Sequence, residues 1–166
     1  MNKKYDCIPS PIGDIYVLVT ERGVCGVEIG MSRDEFLAAH ADAVRDEAAL
    51  SGVLDLLRRY LDGEEVSLDS IDVDLSAGTA FQQAAWRELR KVPRGRTISY
   101  GELSCRVGRP GAARAIGNAM GRNPVPIIVP CHRVLHAGGG LGGFSSGLDV
   151  KRFLLRLENC SSAAIG

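Results

Sequence analysis

Prolines at positions 124, 126 and 130 fall within the eight-residue run that begins at Asn123. Each lacks an amide hydrogen and pushes the residue before it out of the helical region. The run is therefore stiff and non-helical. It leads directly into Cys131-His132-Arg133, so whatever those side chains do is presented from a rigid support.

The elements on either side follow different periods. Ile15–Thr20 and Val24–Ile29 are rich in Val and Ile and are joined by Glu21-Arg22-Gly23, which predicts a β-hairpin. Ser32-x-x-Glu35 is a capping box that opens a short helix carrying Phe36, Leu37 and Val44. A second helix places Leu50, Val53, Leu54, Leu57 and Leu61 on one face and stops at Gly63. Acidic, turn-rich residues 62–78 read as a linker. This half is a small α+β unit with no evident chemistry.

Beyond it the pattern turns helical. Thr79-x-x-Gln82 is another capping box, and Phe81, Ala85, Leu89 and Val92 form one apolar stripe that Pro93-Arg94-Gly95 closes. Ser99-x-x-Glu102 caps a short helix reaching Val107, Gly108-Arg109-Pro110 makes a tight turn, and a further helix runs to about Met120. Two short helices about a glycine-containing turn predict a helix-turn-helix. Residues 137–147 are a Gly- and Ser-rich loop. Val150, Phe153, Leu154 and Leu157 define a last amphipathic helix.

A formal net charge of zero conceals a division. Residues 1–75 carry 7 Lys+Arg and 16 Asp+Glu, a net of −9, and residues 76–166 carry 13 and 4, a net of +9. The second half is suited to a polyanion; the alternatives are mutual attraction of the halves or solvated faces. At 45% apolar and 24% charged, the composition is that of a globular chain rather than a disordered one. There is no apolar stretch of membrane-spanning length, and Asp6, Pro9, Pro11 and Asp14 interrupt any leader after Lys3 and Lys4. The expected location is the cytoplasm, or the nucleus in a eukaryote. Cys7, Cys25, Cys105, Cys131 and Cys160 are odd in number and irregular in spacing, which argues against a disulfide framework. Zinc held by Cys7, Cys25 and His40 would fit no standard spacing, so no metal or cofactor is expected.

A thiol reacts as thiolate, which needs a base or a positive neighbour. Cys131 has His132 and Arg133 beside it, although adjacent residues on an extended strand point to opposite sides. A turn or a bridging water would resolve that. Glu158, four residues after Leu154, is the candidate to orient the histidine. The alternative is a buried inert cysteine and a surface histidine. Arg114 lies among Ala112, Ala113, Ala115 and Gly117, small residues that permit close approach to a partner; alternatively it is a solvated arginine on a helix packed through Ile116 and Met120. Tyr100 is either a core residue or one that stacks or contacts phosphate. Asn123 is either a turn residue or a functional one.

The run Asn123-Pro124-Val125-Pro126-Ile127-Ile128-Val129-Pro130-Cys131-His132-Arg133-Val134 closely resembles the active-site signature of the O6-alkylguanine-DNA alkyltransferases, the methylated-DNA–protein-cysteine methyltransferases. The likeness extends through Thr79-Ala80-Phe81-Gln82 and Trp86, Ser99-Tyr100-Gly101-Glu102, Ala112-Ala113-Arg114-Ala115, Gly143-Phe144-Ser145 and Leu157-Glu158, with Ser10-Pro11-Ile12-Gly13 in the first half. The resemblance implies a ribonuclease-H-like α/β domain over 1–75 with no catalytic role. It implies a mainly helical, winged-helix-like DNA-binding and alkyltransferase domain over 76–166.

It further implies that Cys131 accepts the alkyl group, His132 activates it through water, Glu158 polarises His132, and Asn123 braces the active-site segment. Arg114 would enter the duplex in place of a flipped base, with Ala112, Ala113 and Gly117 against the minor groove. Tyr100, Met120, Val134, Phe144 and Ser145 would form the substrate pocket, Val134 through its carbonyl. The implied partner is double-stranded DNA carrying O6-alkylguanine, with O4-alkylthymine as a second substrate. The implied outcome is irreversible, single-turnover repair by a monomer. Phe144 stands where some members have tyrosine, and Ser146 replaces a common glycine, which would narrow the pocket.

Three rivals make different demands. An alkyltransferase-like binding protein would lack the acceptor cysteine. A helix-turn-helix transcription factor would carry long polar side chains on residues 111–120. A cysteine hydrolase would turn over.

Overall fold

The strand-like runs pair as the alternation dictates. Strand β1 (Lys4–Ile8) pairs antiparallel with β2 (Ile15–Thr20), which pairs antiparallel with β3 (Gly23–Ile29). A two-residue β4 (Val44–Arg45) adds parallel to β1, so the sheet order is β3-β2-β1-β4. Side chains alternate across a strand. Tyr16 and Leu18 pack with Tyr5 and Phe36, and the rings of Tyr16 and Phe36 stack at 4.2 Å. Ile15 and Val17 point the other way and are fully buried. Helix α1 (Arg33–Ala39) starts at the Ser32–Glu35 capping box, and α2 (Glu47–Leu61) packs on β1 and β2.

Two expectations need correction. Val44 is not on α1: the chain turns at His40, the Val44 amide donates to the Lys3 carbonyl, and the side chain is 63% exposed. A place in the sheet ladder outweighs helical continuation. Residues 62–75 are not a linker either. Leu68, Ile71 and Leu75 are buried, the Val24 amide donates to the Asp72 carbonyl while the Val24 carbonyl accepts from the Asp74 amide, and the Thr20 hydroxyl donates to Asp74. Acidic residues on the outer side disguise an apolar inner side.

The computed structural model describes residues 2–161. It divides into two units, Met1–Leu75 and Ser76–Gly166. In the second, α3 (Ala80–Leu89) begins at the Thr79 capping box, and Trp86 Nε1 donates to the Ala119 carbonyl at 2.9 Å. That bond ties α3 to α5 (Ala113–Gly121), the second helix of the helix-turn-helix. The first is α4 (Tyr100–Arg106), capped by Ser99 and Glu102. Between them Gly108 turns the chain at φ 75°, a conformation that side-chain-bearing residues avoid. Short strands β5 (Ile98–Ser99) and β6 (Val134–Leu135) pair in parallel, and α6 (Leu148–Leu157) closes the unit. The mixed α+β class, with a sheet-bearing first part and a helical second part, is as expected. Among the described residues no helix is long and apolar enough to cross a membrane.

Helix α6 is rotated from its expected face. Lys151, Leu154 and Leu155 are buried, rather than the stripe led by Val150 and Phe153. The ammonium of Lys151 finds backbone acceptors inside, which makes its burial tolerable.

Candidate active site

The proline segment is held by one side chain. Asn123 Oδ1 accepts from the Val125 amide and its Nδ2 donates to the Val129 carbonyl, both at 2.9 Å. Ile127, at the tip of the enclosed turn, has φ 73°, a strained conformation for a β-branched residue. The segment delivers Cys131 into a 3-10 turn, Cys131–Arg133, rather than an extended strand. The turn replaces the extended strand in which neighbours would face opposite sides, and no direct hydrogen bond joins Cys131 to His132 Nδ1.

His132 and Glu158 are buried together, with Nε2 3.0 Å from Oε2. Arg133 Nε and a terminal nitrogen donate to the two oxygens of Glu158 at 2.9 and 2.8 Å, and its other terminal nitrogen donates to the Val92 carbonyl. Burial by itself would raise the Glu158 carboxyl, but the hydrogen bonds from Arg133 and His132 outweigh it and hold the group well below the usual carboxylate range. An ionised carboxylate only accepts. His132 Nε2 therefore carries the proton, and Nδ1 presents a lone pair. Nδ1 is buried and, among the described residues, has no hydrogen-bond partner. Burial also lowers the affinity of His132 for a second proton, against the pull of Glu158.

The cation that favours a Cys131 thiolate is Lys151, not Arg133, whose guanidinium is committed to Glu158. Lys151 is fully buried and donates to the carbonyls of Val134 (2.7 Å), Gly143 (3.1 Å) and Leu141. Burial lowers its pKa to about 8. Burial pushes the Cys131 thiol up, while a hydrogen bond with Asn123 and the Lys151 charge act in the opposite direction. Neither Lys151 nor the Arg133–Glu158 pairing was foreseen from sequence. The buried lysine left no signal of its own, standing between Val150 and Arg152 in a run that also carries Asp149.

Cys131 is 4% exposed, yet it lines a cavity of about 480 Å³. Tyr100, Met120, Phe144 and Ser145 share that cavity, and Ala113, Arg114 and Gly117 border it from α5. Tyr100 is half-buried, and burial raises its hydroxyl while a backbone hydrogen bond with Gly143 opposes. Gly142 faces it at φ 69°, and a Cβ there would lie 2.3 Å from the tyrosine oxygen. Ala112 occupies the N-cap of α5 rather than its first turn. Val134 is fully buried and outside the cavity lining, its carbonyl accepting from Lys151. His136, which sequence reasoning passed over, is part of the lining, with its ring 5.2 Å from that of Tyr100.

In the other unit, Cys7 and Cys25 pack against the aromatic cluster and His40 pairs with Glu28 at 3.1 Å. Among the described residues no three His, Cys, Asp or Glu side chains are grouped to hold a metal ion.

A helix-turn-helix, the arrangement of many DNA-binding proteins, here borders a cavity that a cysteine lines. Comparison with known proteins identifies the family. Residues 3–75 match the 6-O-methylguanine DNA methyltransferase ribonuclease-like domain, and residues 80–160 match the DNA-binding domain of the same family. The methylated-DNA–protein-cysteine methyltransferase of Mycobacterium tuberculosis is 41% identical over 160 residues, 96% of this chain and 94% of the relative. That of Methanosarcina acetivorans is 42% identical over 155 residues, 93% and 97% of the two chains. The crystal structure of Mycobacterium tuberculosis OGT in complex with DNA superposes with a TM-score of 0.84 at 40% identity, covering 94% of this chain and 92% of that one. The chain belongs to the 6-O-methylguanine DNA methyltransferase family, and is a DNA-binding methyltransferase of DNA repair.

Proposed function

We propose that the chain reverses O6-alkylguanine damage in double-stranded DNA by moving the alkyl group, methyl above all, to Cys131 Sγ, once per molecule. The observation that carries this reading is the single cavity that brings Cys131, Tyr100, Met120, Phe144 and Ser145 around one space at the edge of α5. Its size suits a small-molecule group such as a nucleobase. A base inside a duplex cannot reach it, so the damaged nucleotide is extruded at a cost of a few kcal/mol. Arg114, exposed on α5, takes the vacated place in the stack and offsets part of that cost.

The approach is through the minor groove. Ala113 and Gly117 leave the face of α5 low, and a Cβ added at Gly117 would meet no atom of the described residues within 4 Å beyond its chain neighbours and the backbone of its own helix. Internal packing thus does not require glycine there; close approach of a partner would. The net charge of +9 over residues 76–166 supplies sequence-independent phosphate affinity.

Neutral His132 takes the thiol proton at Nδ1 through a water, and Glu158 steadies the imidazolium. The Sγ–carbon bond forms as the carbon–O6 bond breaks. The electron pair goes to the purine, and the proton passes to the ring nitrogen of the restored guanine. O4-alkylthymine fits the same chemistry. The carbon–sulfur bond of a thioether is stable to water, which supports reading the protein as a stoichiometric acceptor. It acts as a monomer in the cytoplasm, or in the nucleus of a eukaryote. Asn123 and the Arg133–Glu158 pair serve as positioning residues.

Intact-mass measurement after incubation with an O6-methylguanine duplex tests this. One added methyl is expected on the parent, none on Cys131→Ser, and transfer slowed by about tenfold or more in Arg114→Ala. An unmodified parent, or methylation of Cys131→Ser at the parental rate, would sink the proposal.

A further inference from the structure

His136 is shared by two hollows. On one side is the cavity of about 480 Å³ that contains Cys131. On the other is a more polar hollow of about 620 Å³, lined by Thr97, Ser99, Leu135 and the backbone of Gly138–Gly140. His136 is the one residue common to both linings among the described residues. The other residues of the first hollow come from α4, α5, the Cys131 turn and residues 143–145.

The backbone of the residue is held in place. Its amide donates to the Gly140 carbonyl and its carbonyl accepts from the Gly139 amide, both at 2.8 Å. The His136 ring lies against Tyr100, and a Cβ on Gly140 would approach Cδ2 to 3.5 Å. Tyr100 is in turn backed by Gly142. The imidazole is solvent-exposed, yet its ring stands beside that of Tyr100 on the boundary that the two hollows share.

We infer that His136 is a specificity-determining residue that sets the upper size of the alkyl group accepted at Cys131, by closing the reaction cavity off from the neighbouring hollow. This rests on the reading of the cavity as the site of alkyl transfer. A methyl group needs no space beyond the first hollow. An aryl-methyl group attached to the same oxygen does. It reacts by the same bond exchange, with its benzylic carbon bonding to Sγ as the carbon–O6 bond breaks, so only the space for the ring differs. Removing the imidazole merges the two hollows and supplies that space. A ring of similar breadth without nitrogen keeps the wall. Discrimination by pocket size of this kind is worth on the order of tenfold to a hundredfold.

The test uses the full chain and two duplexes, one with O6-methylguanine and one with O6-benzylguanine, with the rate of each adduct on Cys131 followed by intact mass. His136→Ala is expected to lower the methyl-over-benzyl rate ratio about tenfold. His136→Phe is expected to keep the parental ratio. Thermal melting identifies any variant that is not folded. An unchanged ratio in folded His136→Ala, or both rates falling equally in it, overturns the inference, since a merely structural role would move the two together. If His136→Ala does not fold, His136→Gln and His136→Ser carry the same comparison. A parent that acquires neither group refutes the alkyl-transfer reading itself, and the inference falls with it.

Discussion

The two units spend their interiors differently. Met1–Leu75 is built around stacked aromatics, and its buried polar side chains are Asp6 and Asp74. Ser76–Gly166 buries Ser104, Asn123, His132, Arg133, Lys151 and Glu158. An apolar core gains stability with every surface removed from water, whereas a buried charge costs free energy until its partners are in place. The second unit therefore holds a chemically useful interior only because every charge has its counterpart: Glu158 between Arg133 and His132, and Lys151 among three carbonyls. The lesson is that the charged interior is specified as a set, and single losses should be felt in rate as well as stability.

The largest expected contrast comes from breaking one interior in each unit. Glu158→Gln leaves Arg133 buried without its counter-charge, which should cost about 3–5 kcal/mol of stability. It should also slow methyl transfer in the fraction that remains folded. Phe36→Ala in the aromatic cluster should cost about as much, 3–5 kcal/mol, but leave the transfer rate per folded molecule unchanged. Denaturant unfolding and single-turnover rates measured on both variants check this. Equal slowing of transfer in the two would erase the distinction.

Acid should act next, through the second unit's interior. The Glu158 carboxyl is held below its unfolded value, so its contribution is fully present above the ordinary carboxylate range and is lost progressively as pH falls from that range toward the depressed folded value. His132 is held neutral by burial, so the unfolded chain binds a proton that the folded chain does not. Stability should begin to fall below the ordinary histidine pKa of about 6.5. His132→Gln should remove the upper part of that slope and leave the lower part. Melting temperatures taken from pH 8 to about pH 2 would show it.

The smallest effect sharpens the comparison most. Gly52 in α2 and Gly117 in α5 each have room for a Cβ, with no atom of the described residues within 4 Å beyond chain neighbours and the backbone of the same helix. Either glycine changed to alanine should raise stability by about 0.5–1 kcal/mol through helix propensity. Gly52→Ala should leave DNA affinity untouched. Gly117→Ala should weaken it, because the added methyl raises the face offered to the groove. Equal DNA affinities at fixed salt would show that α5 does not approach its partner closely.

Much of this was written locally. The Ser32, Thr79 and Ser99 capping boxes each start the helix that their spacing announces, and the hairpin falls where Val and Ile alternate. Cys131, His132, Glu158 and Asn123 could be singled out because a proline-stiffened run and a motif resemblance mark them. The wall provided by His136 was invisible, since it depends on a turn closing at Gly140 and on Tyr100 from another helix. The rotation of α6 was hidden because a lysine reads as polar in any window of sequence, while its ammonium needs carbonyls that lie ten and seventeen residues back along the chain.

By itself the chain of residues determined its helix starts, its rigid segment, its division of charge and the kind of reactive group it carries, because these follow from dihedral limits, side-chain hydrogen bonds to neighbouring amides and composition. Only the tertiary structure decided which cation meets which carboxylate, that the cysteine opens to a cavity rather than lying sealed, and which ring bounds that cavity. Those outcomes turn on groups distant in sequence being dehydrated together, and the free energy of a buried charge is settled by all of its neighbours at once.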